Sequence, residues 1–379
     1  MNCFSLKNAL IYNSDKEEFI PGGIAVKNGI ITAIGDLSDA DFNCARDICG
    51  RKIIPAMVDV HSHGREGIDF CGASVDELMS LKASYARVGT ATVVPTLASA
   101  TLDEWRETVE NVKNCGFDAI HFEGRYLSPE KRGAHAPELL TLPNSDEMKE
   151  LLDISADMRV HVSFAPELKG GIEFIKFLSE NNATAGIAHT AATYEEAMTA
   201  VKAGAISFTH TFNAMTEMLH RAPGVAGAAL SSGRYAEFIC DGVHVHPAVV
   251  KAAYNSVPHD KFVLITDSLM AAGCGDGNYT LAGLRVNVNG GIARTEDGAI
   301  AGSMLDLFTA MRNLMSFAGI SLEKAIPCAT SNPAGMLSLD KITGSLKVGL
   351  RADMIILDDC ENESSSVYSA DNAEPGNSL

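Results

Sequence analysis

Met57-Val58-Asp59-Val60-His61-Ser62-His63 is the stretch that decides how this chain is read. Residues 57–61 have strand texture and run directly into a His-x-His pair. Side chains repeat every second residue along a strand, so His61 and His63 fall on one face at its end. An open doubly wound sheet usually follows its first strand with a glycine-rich phosphate loop, and here histidines stand in that place. Moving outward, apolar strand candidates recur at 90–94, 119–123, 159–164, 184–189, 206–210, 237–240 and 262–267. Amphipathic helical stretches separate them. Three of these open with capping boxes, Ser74…Glu77, Thr101…Glu104 and Thr193…Glu196, where hydroxyl and carboxylate satisfy each other's backbone N–H groups. Eight strands alternating with helices predict an α/β fold, a (β/α)8 TIM-type barrel.

The flanks have another texture. Residues 9–12, 23–26 and 29–34 are short, β-branched and punctuated by Gly, Pro and Asn. After the last barrel strand, 278–300 reads as an inserted hairpin or two, followed by helical stretches around 304–317 and 322–329. Segments 344–349 and 352–357 return to strand texture. The expectation is a small β-sandwich domain built from both chain ends, 1–54 and 344–379, around a barrel spanning 55–343. The polar stretch 360–379 is expected to be a loose tail.

Charge narrows the partners. Among 379 residues, 30 Lys and Arg face 48 Asp and Glu, a formal net charge of −18. Such a chain is repelled at long range by nucleic acid and by anionic membranes, so neither is expected as a partner. No apolar run approaches the ~20 residues of a membrane span, and the first residues carry no secretory pattern. Nine scattered cysteines without a Cys-x-x-Cys pair suggest reduced thiols and a cytoplasmic location.

Four further strand candidates end in metal- or proton-handling residues: Glu123, His189, His210 and Asp267. Each alone would pass for a polar strand cap. Together with His61 and His63 they gather at the barrel end where catalytic groups sit, in the His/carboxylate mixture of an open divalent site. His121, His161, His220, His246 and His259 are expected to be core, supporting or surface histidines.

These residues resemble the amidohydrolase superfamily, and within it the N-acetylglucosamine-6-phosphate deacetylases. The likeness is carried by Val58-Asp59-Val60-His61-Ser62-His63-Gly64, by His121-Phe122-Glu123-Gly124 with Lys131-Arg132-Gly133-Ala134-His135, and by His210-Thr211-Phe212-Asn213-Ala214-Met215 with Arg221-Ala222-Pro223-Gly224. Asp241-Gly242-Val243-His244 and Thr266-Asp267-Ser268 complete it. The resemblance implies a metal held by Glu123, His189 and His210, with His61 and His63 completing a second position. It implies Asp267 as acid/base, His135 as hydrogen-bond donor to the reacting carbonyl, and Asn213, Ala214, Arg221 and His244 as holders of a sugar phosphate. One or two divalent ions per chain, zinc or iron, and a homodimer are expected. Arg125 replaces the family's usual proline, and Pro55-Ala56 its Pro-Gly.

The implied reaction releases acetate from N-acetylglucosamine 6-phosphate in amino-sugar breakdown. The galactosamine epimer and a non-catalytic scaffold are the alternatives. Amide hydrolysis needs an activated water, a stabilised oxyanion and a proton for the leaving amine. A divalent ion, a carboxylate such as Asp267 and a donor such as His135 supply these in turn. Arg221 offers the planar fork that suits phosphate oxygens.

Overall fold

The computed structural model describes residues 3–358 and 364–368. Eight parallel strands hydrogen-bond in sequence order: Met57–Ser62, Thr90–Leu97, Ala119–Glu123, Arg159–Phe164, Ala183–Ile187, Ser207–Phe208, Tyr235–Ile239 and Phe262–Ile265. The eighth returns to the first at its end, where the Asp267 N–H donates to the His61 carbonyl at 2.9 Å. The Thr266 hydroxyl closes the same seam by donating to Asp59 at 2.6 Å. The fold is therefore a TIM-type barrel.

Helices cover its outside. Val75–Arg87, Leu102–Asn114 and Tyr194–Ala203 each begin at the expected capping box, with both reciprocal bonds formed. Their apolar faces bury Leu78, Leu81, Trp105, Val109, Ala197 and Ala200 against the strands. Each large apolar side chain so buried contributes roughly 1.5–3 kcal/mol. Among the described residues no helix is long and apolar enough to cross a membrane.

Both chain ends meet in a small β-domain. Met354–Leu357 pairs antiparallel with Lys52–Pro55, placing Ile355 opposite Ile54, and Lys52–Pro55 runs parallel to Phe4–Asn13. Glu18–Lys27 and Ile30–Gly35 extend the sheet, which its hydrogen bonds make one seven-stranded sheet. Leu6, Ile11, Ile24, Ile53, Met354 and Ile356 form its core. Two expectations change here. Segment 344–349 is a turn, not a strand, because Gly344 and Gly349 adopt left-handed φ of 85° and 93° and curl it at both ends. Leu346 still reaches the small-domain core. Within the expected tail, Ser364–Tyr368 is a strand paired with Met354–Leu357, and the rest of that tail lies outside the described residues. The expected hairpin insertion is a three-stranded antiparallel sheet, Gly277–Leu281, Leu284–Asn289 and Ile292–Thr295.

Candidate active site

Strands five, six and eight stop short of the residues expected at their ends. His189, His210 and Asp267 follow them with left-handed φ of 42°, 31° and 48°. L-residues seldom occupy this region, and each such residue costs on the order of 1–3 kcal/mol. This strain breaks each strand just before the side chain that matters. It also explains why the sequence pattern carries each of these strands two residues too far.

All of the expected ligands converge. Glu123 Oε1 lies 2.8 Å from His210 Nε2 and 3.4 Å from His189 Nε2. Its Oε2 lies 2.9 Å from His63 Nε2 and 3.4 Å from His61 Nε2. Asp267 Oδ1 faces His63 Nε2 at 3.3 Å and His61 Nε2 at 3.5 Å. All six side chains are buried. Burial opposes charge on Asp267, but the adjacent His61 and His63 outweigh it and hold the carboxyl below the usual carboxylate range. Burial likewise opposes charge on Glu123, yet His61, His189 and His210 hold it well below the usual carboxylate range.

Hydrogen-bond partners fix which ring nitrogens carry protons. The His189 Nδ1–H donates to the Lys131 carbonyl at 2.8 Å, leaving its Nε2 lone pair 3.1 Å from His210 Nε2. His61 Nδ1 faces the Glu237 carboxylate at 3.3 Å, and its Nε2 has no hydrogen-bond partner. Bare imidazole nitrogens aimed at carboxylates call for a cation among them, and this nitrogen/oxygen donor set fits a divalent ion. His135 is different, although its Nε2 comes within 3.8 Å of Glu123. Its Nδ1 receives the Ser99 N–H at 3.4 Å and sits 2.9 Å from the Ser99 hydroxyl. That hydroxyl already accepts from the Arg125 N–H, so its proton is free for the ring. Burial and the neighbouring His189 push His135 down to about 3, and the neutral ring carries its proton on Nε2. His135 is thus built as a donor rather than a ligand. Gly133, at φ 55°, lets this loop pass over His189, since a Cβ there would stand 2.8 Å from the ring.

A cavity of about 380 Å³ opens above the cluster, lined by His63, Glu123, His135, His189, His210 and Asp267 together with Lys131, Asn213, Ala214 and His244. The His244 Nδ1–H donates to Asp241 at 2.6 Å, which anchors the ring on the cavity wall. Arg221 does not line this cavity. It is exposed in an adjoining cleft with Thr216 and Leu219, and Lys131 borders both spaces. Arg125 also points elsewhere, over the Trp105 ring and toward Ala100 O and Glu147. His121 and His161 are buried inside the barrel, His220 and His246 are exposed, and His259 pairs with Glu17 at 3.3 Å. Ser99 and Glu237 were not singled out in the sequence, and Lys131 stood there only as the first residue of the segment Lys131-Arg132-Gly133-Ala134-His135. Glu237 left a trace as a carboxylate inside the apolar run Ala236-Glu237-Phe238-Ile239.

A barrel with a buried histidine–carboxylate cage at the ends of its strands defines a metal-dependent hydrolase class. A model of the amidohydrolase family matches residues 53–376, and the chain belongs to that family. It is 35% identical over 350 residues to an N-acetylgalactosamine-6-phosphate deacetylase of Escherichia coli O157:H7, covering 88% of this chain and 90% of that one. It is 33% identical over 322 residues to an N-acetylglucosamine-6-phosphate deacetylase of Bacillus subtilis, covering 82% and 81%. Among solved structures, a mutant N-acetyl-D-glucosamine-6-phosphate deacetylase from Mycobacterium smegmatis, in complex with N-acetyl-D-glucosamine-6-phosphate, superposes with a TM-score of 0.91. The identity there is 31%, over 99% of both chains.

Proposed function

We propose that this chain hydrolyses the N-acetyl group of N-acetylglucosamine 6-phosphate to glucosamine 6-phosphate and acetate. The observation that carries the reading is that His135, with its proton on Nε2, and an ionised Asp267 line one cavity beside the ligand cage. Asp267 takes the proton of the attacking water and delivers it to the departing nitrogen. His135 donates to the oxygen that becomes negative as the acetyl carbon turns tetrahedral. Asn213, the Ala214 backbone and His244 hold the sugar, and Arg221 with Lys131 supplies cations for its phosphate. Glu123, His189 and His210 would hold one divalent ion, and His61 and His63 beside Asp267 a second. Zinc or iron bound there would polarise the acetyl carbonyl and lower the pKa of water toward ~7.

The complete set of acid, donor and ligands has no purpose in a non-catalytic scaffold. The galactosamine epimer stays as a second reading because the Escherichia coli relative named for it is 35% identical. A homodimer is the proposed assembly, in which a neighbouring copy can bring an exposed Arg221 toward a sugar phosphate. The cytoplasm is the proposed compartment, in keeping with eight free cysteines among the described residues. Acetate release measured side by side on the two epimeric 6-phosphates tests the reading. A higher kcat/KM for the gluco epimer is expected, and preference for the galacto epimer would replace it with the second reading.

A further inference from the structure

Glu237 lies in the middle of the seventh barrel strand, wholly buried. A carboxylate at such a depth needs a partner. Among the described residues no lysine or arginine pairs with it; Oε2 meets His61 Nδ1 at 3.3 Å, and Oε1 lies 3.9 Å from His161 Nε2 without a hydrogen-bond partner. The other polar groups on the barrel floor are engaged among themselves. His121 faces Ser163 at 2.7 Å and Thr96 at 3.2 Å, and His161 faces Thr184 at 2.8 Å. The one close contact of Glu237 is therefore the ring nitrogen of His61 that points away from the cage.

We propose that Glu237 is the positioning residue for His61. Its carboxylate accepts the Nδ1 proton and so leaves the Nε2 lone pair facing Glu123 and Asp267, which makes the His61–His63–Asp267 half of the cage competent to hold a cation. A carboxylate behind a ligating histidine orients the ring and raises its basicity, and loss of such a partner typically costs about 10–100-fold in metal affinity. The proposal rests on the reading of this half as a second metal position.

The test is a titration of metal-free protein with cobalt(II), followed by calorimetry and by the visible absorption of the bound ion. Wild type is expected to bind two equivalents. In Glu237→Gln, which keeps the volume but removes the charge, the second equivalent should weaken by about 10–100-fold while the first is unchanged. Two unchanged equivalents in the variant, or equal loss of both, would overturn the role of Glu237 and leave the proposed activity standing. A single equivalent in wild type would overturn both this role and the second metal position. Independently of any Glu237 variant, ¹⁵N-histidine spectra of the zinc-loaded wild type, assigned by difference against His61→Asn, should show the Nδ1–H tautomer at His61. An Nε2–H tautomer there would also overturn the proposal.

Discussion

The two halves of the cage use the same chemistry, two imidazoles and one carboxylate each, and are anchored in different ways. In the Glu123–His189–His210 half, His189 is oriented by a backbone carbonyl, that of Lys131, on the loop that also brings His135 to the cavity. In the His61–His63–Asp267 half, the anchors are barrel strands and their seam: Glu237 behind His61, and the Asp267 N–H on the His61 carbonyl. The first half therefore couples the geometry of the cage to the loop that lines the cavity. The second is built into the barrel wall and depends on a buried side-chain charge. One half is tied to a loop of the cavity wall and the other to the scaffold.

The largest effect should come from breaking the first half directly. His210→Ala removes a proposed ligand that contacts Glu123 at 2.8 Å, so metal affinity there should fall by more than the ~10–100-fold typical of losing an outer partner. Elemental analysis after dialysis should show the depleted ion, and retained full occupancy would end the ligand assignment. Asp267→Asn comes next: kcat should drop by about 10²–10⁴-fold, while the ion held by Glu123, His189 and His210 stays bound. Near-normal turnover would move the proton route to another group.

His135 sharpens the contrast between ligand and donor. His135→Ala should lower kcat by about 10²–10³-fold and leave metal content unchanged, as expected for a lost oxyanion donor. A lost equivalent of metal would instead make His135 a ligand. The smallest effect belongs to Arg221. Arg221→Met should raise KM for the phosphorylated sugar by about tenfold or more, the worth of a charge-assisted hydrogen bond, with little change for the unphosphorylated sugar. Equal losses on both sugars would make Arg221 structural.

The barrel was legible because its signals are local. Apolar runs, capping boxes at Ser74, Thr101 and Thr193, and strand ends carrying Glu123, His189, His210 and Asp267 all sit in short windows of sequence. The errors came where a local pattern yields to backbone geometry. Left-handed turns at His189, His210 and Asp267 end three strands early, and two left-handed glycines turn 344–349 away from the sheet. The supporting groups were harder still. A backbone carbonyl at Lys131 and a hydroxyl at Ser99 leave no mark that distinguishes them from any other carbonyl or serine. Glu237 did leave one, but its meaning depends on His61, 176 positions away in sequence and 3.3 Å away in space. Arg221 is the opposite case: a motif groups it with the site, a single chain sets it in the adjoining cleft, and its role at a phosphate rests on the proposed dimer.

The central claim is that this buried cage is the engine of an N-acetyl hydrolysis. The most direct measurement is acetate release from N-acetylglucosamine 6-phosphate by one preparation assayed as purified, after exhaustive chelation, and after addition of zinc or ferrous ion to the chelated protein. Activity should fall to background on chelation and return as metal is restored. Acetate release that persists undiminished in protein shown to be metal-free would contradict the account.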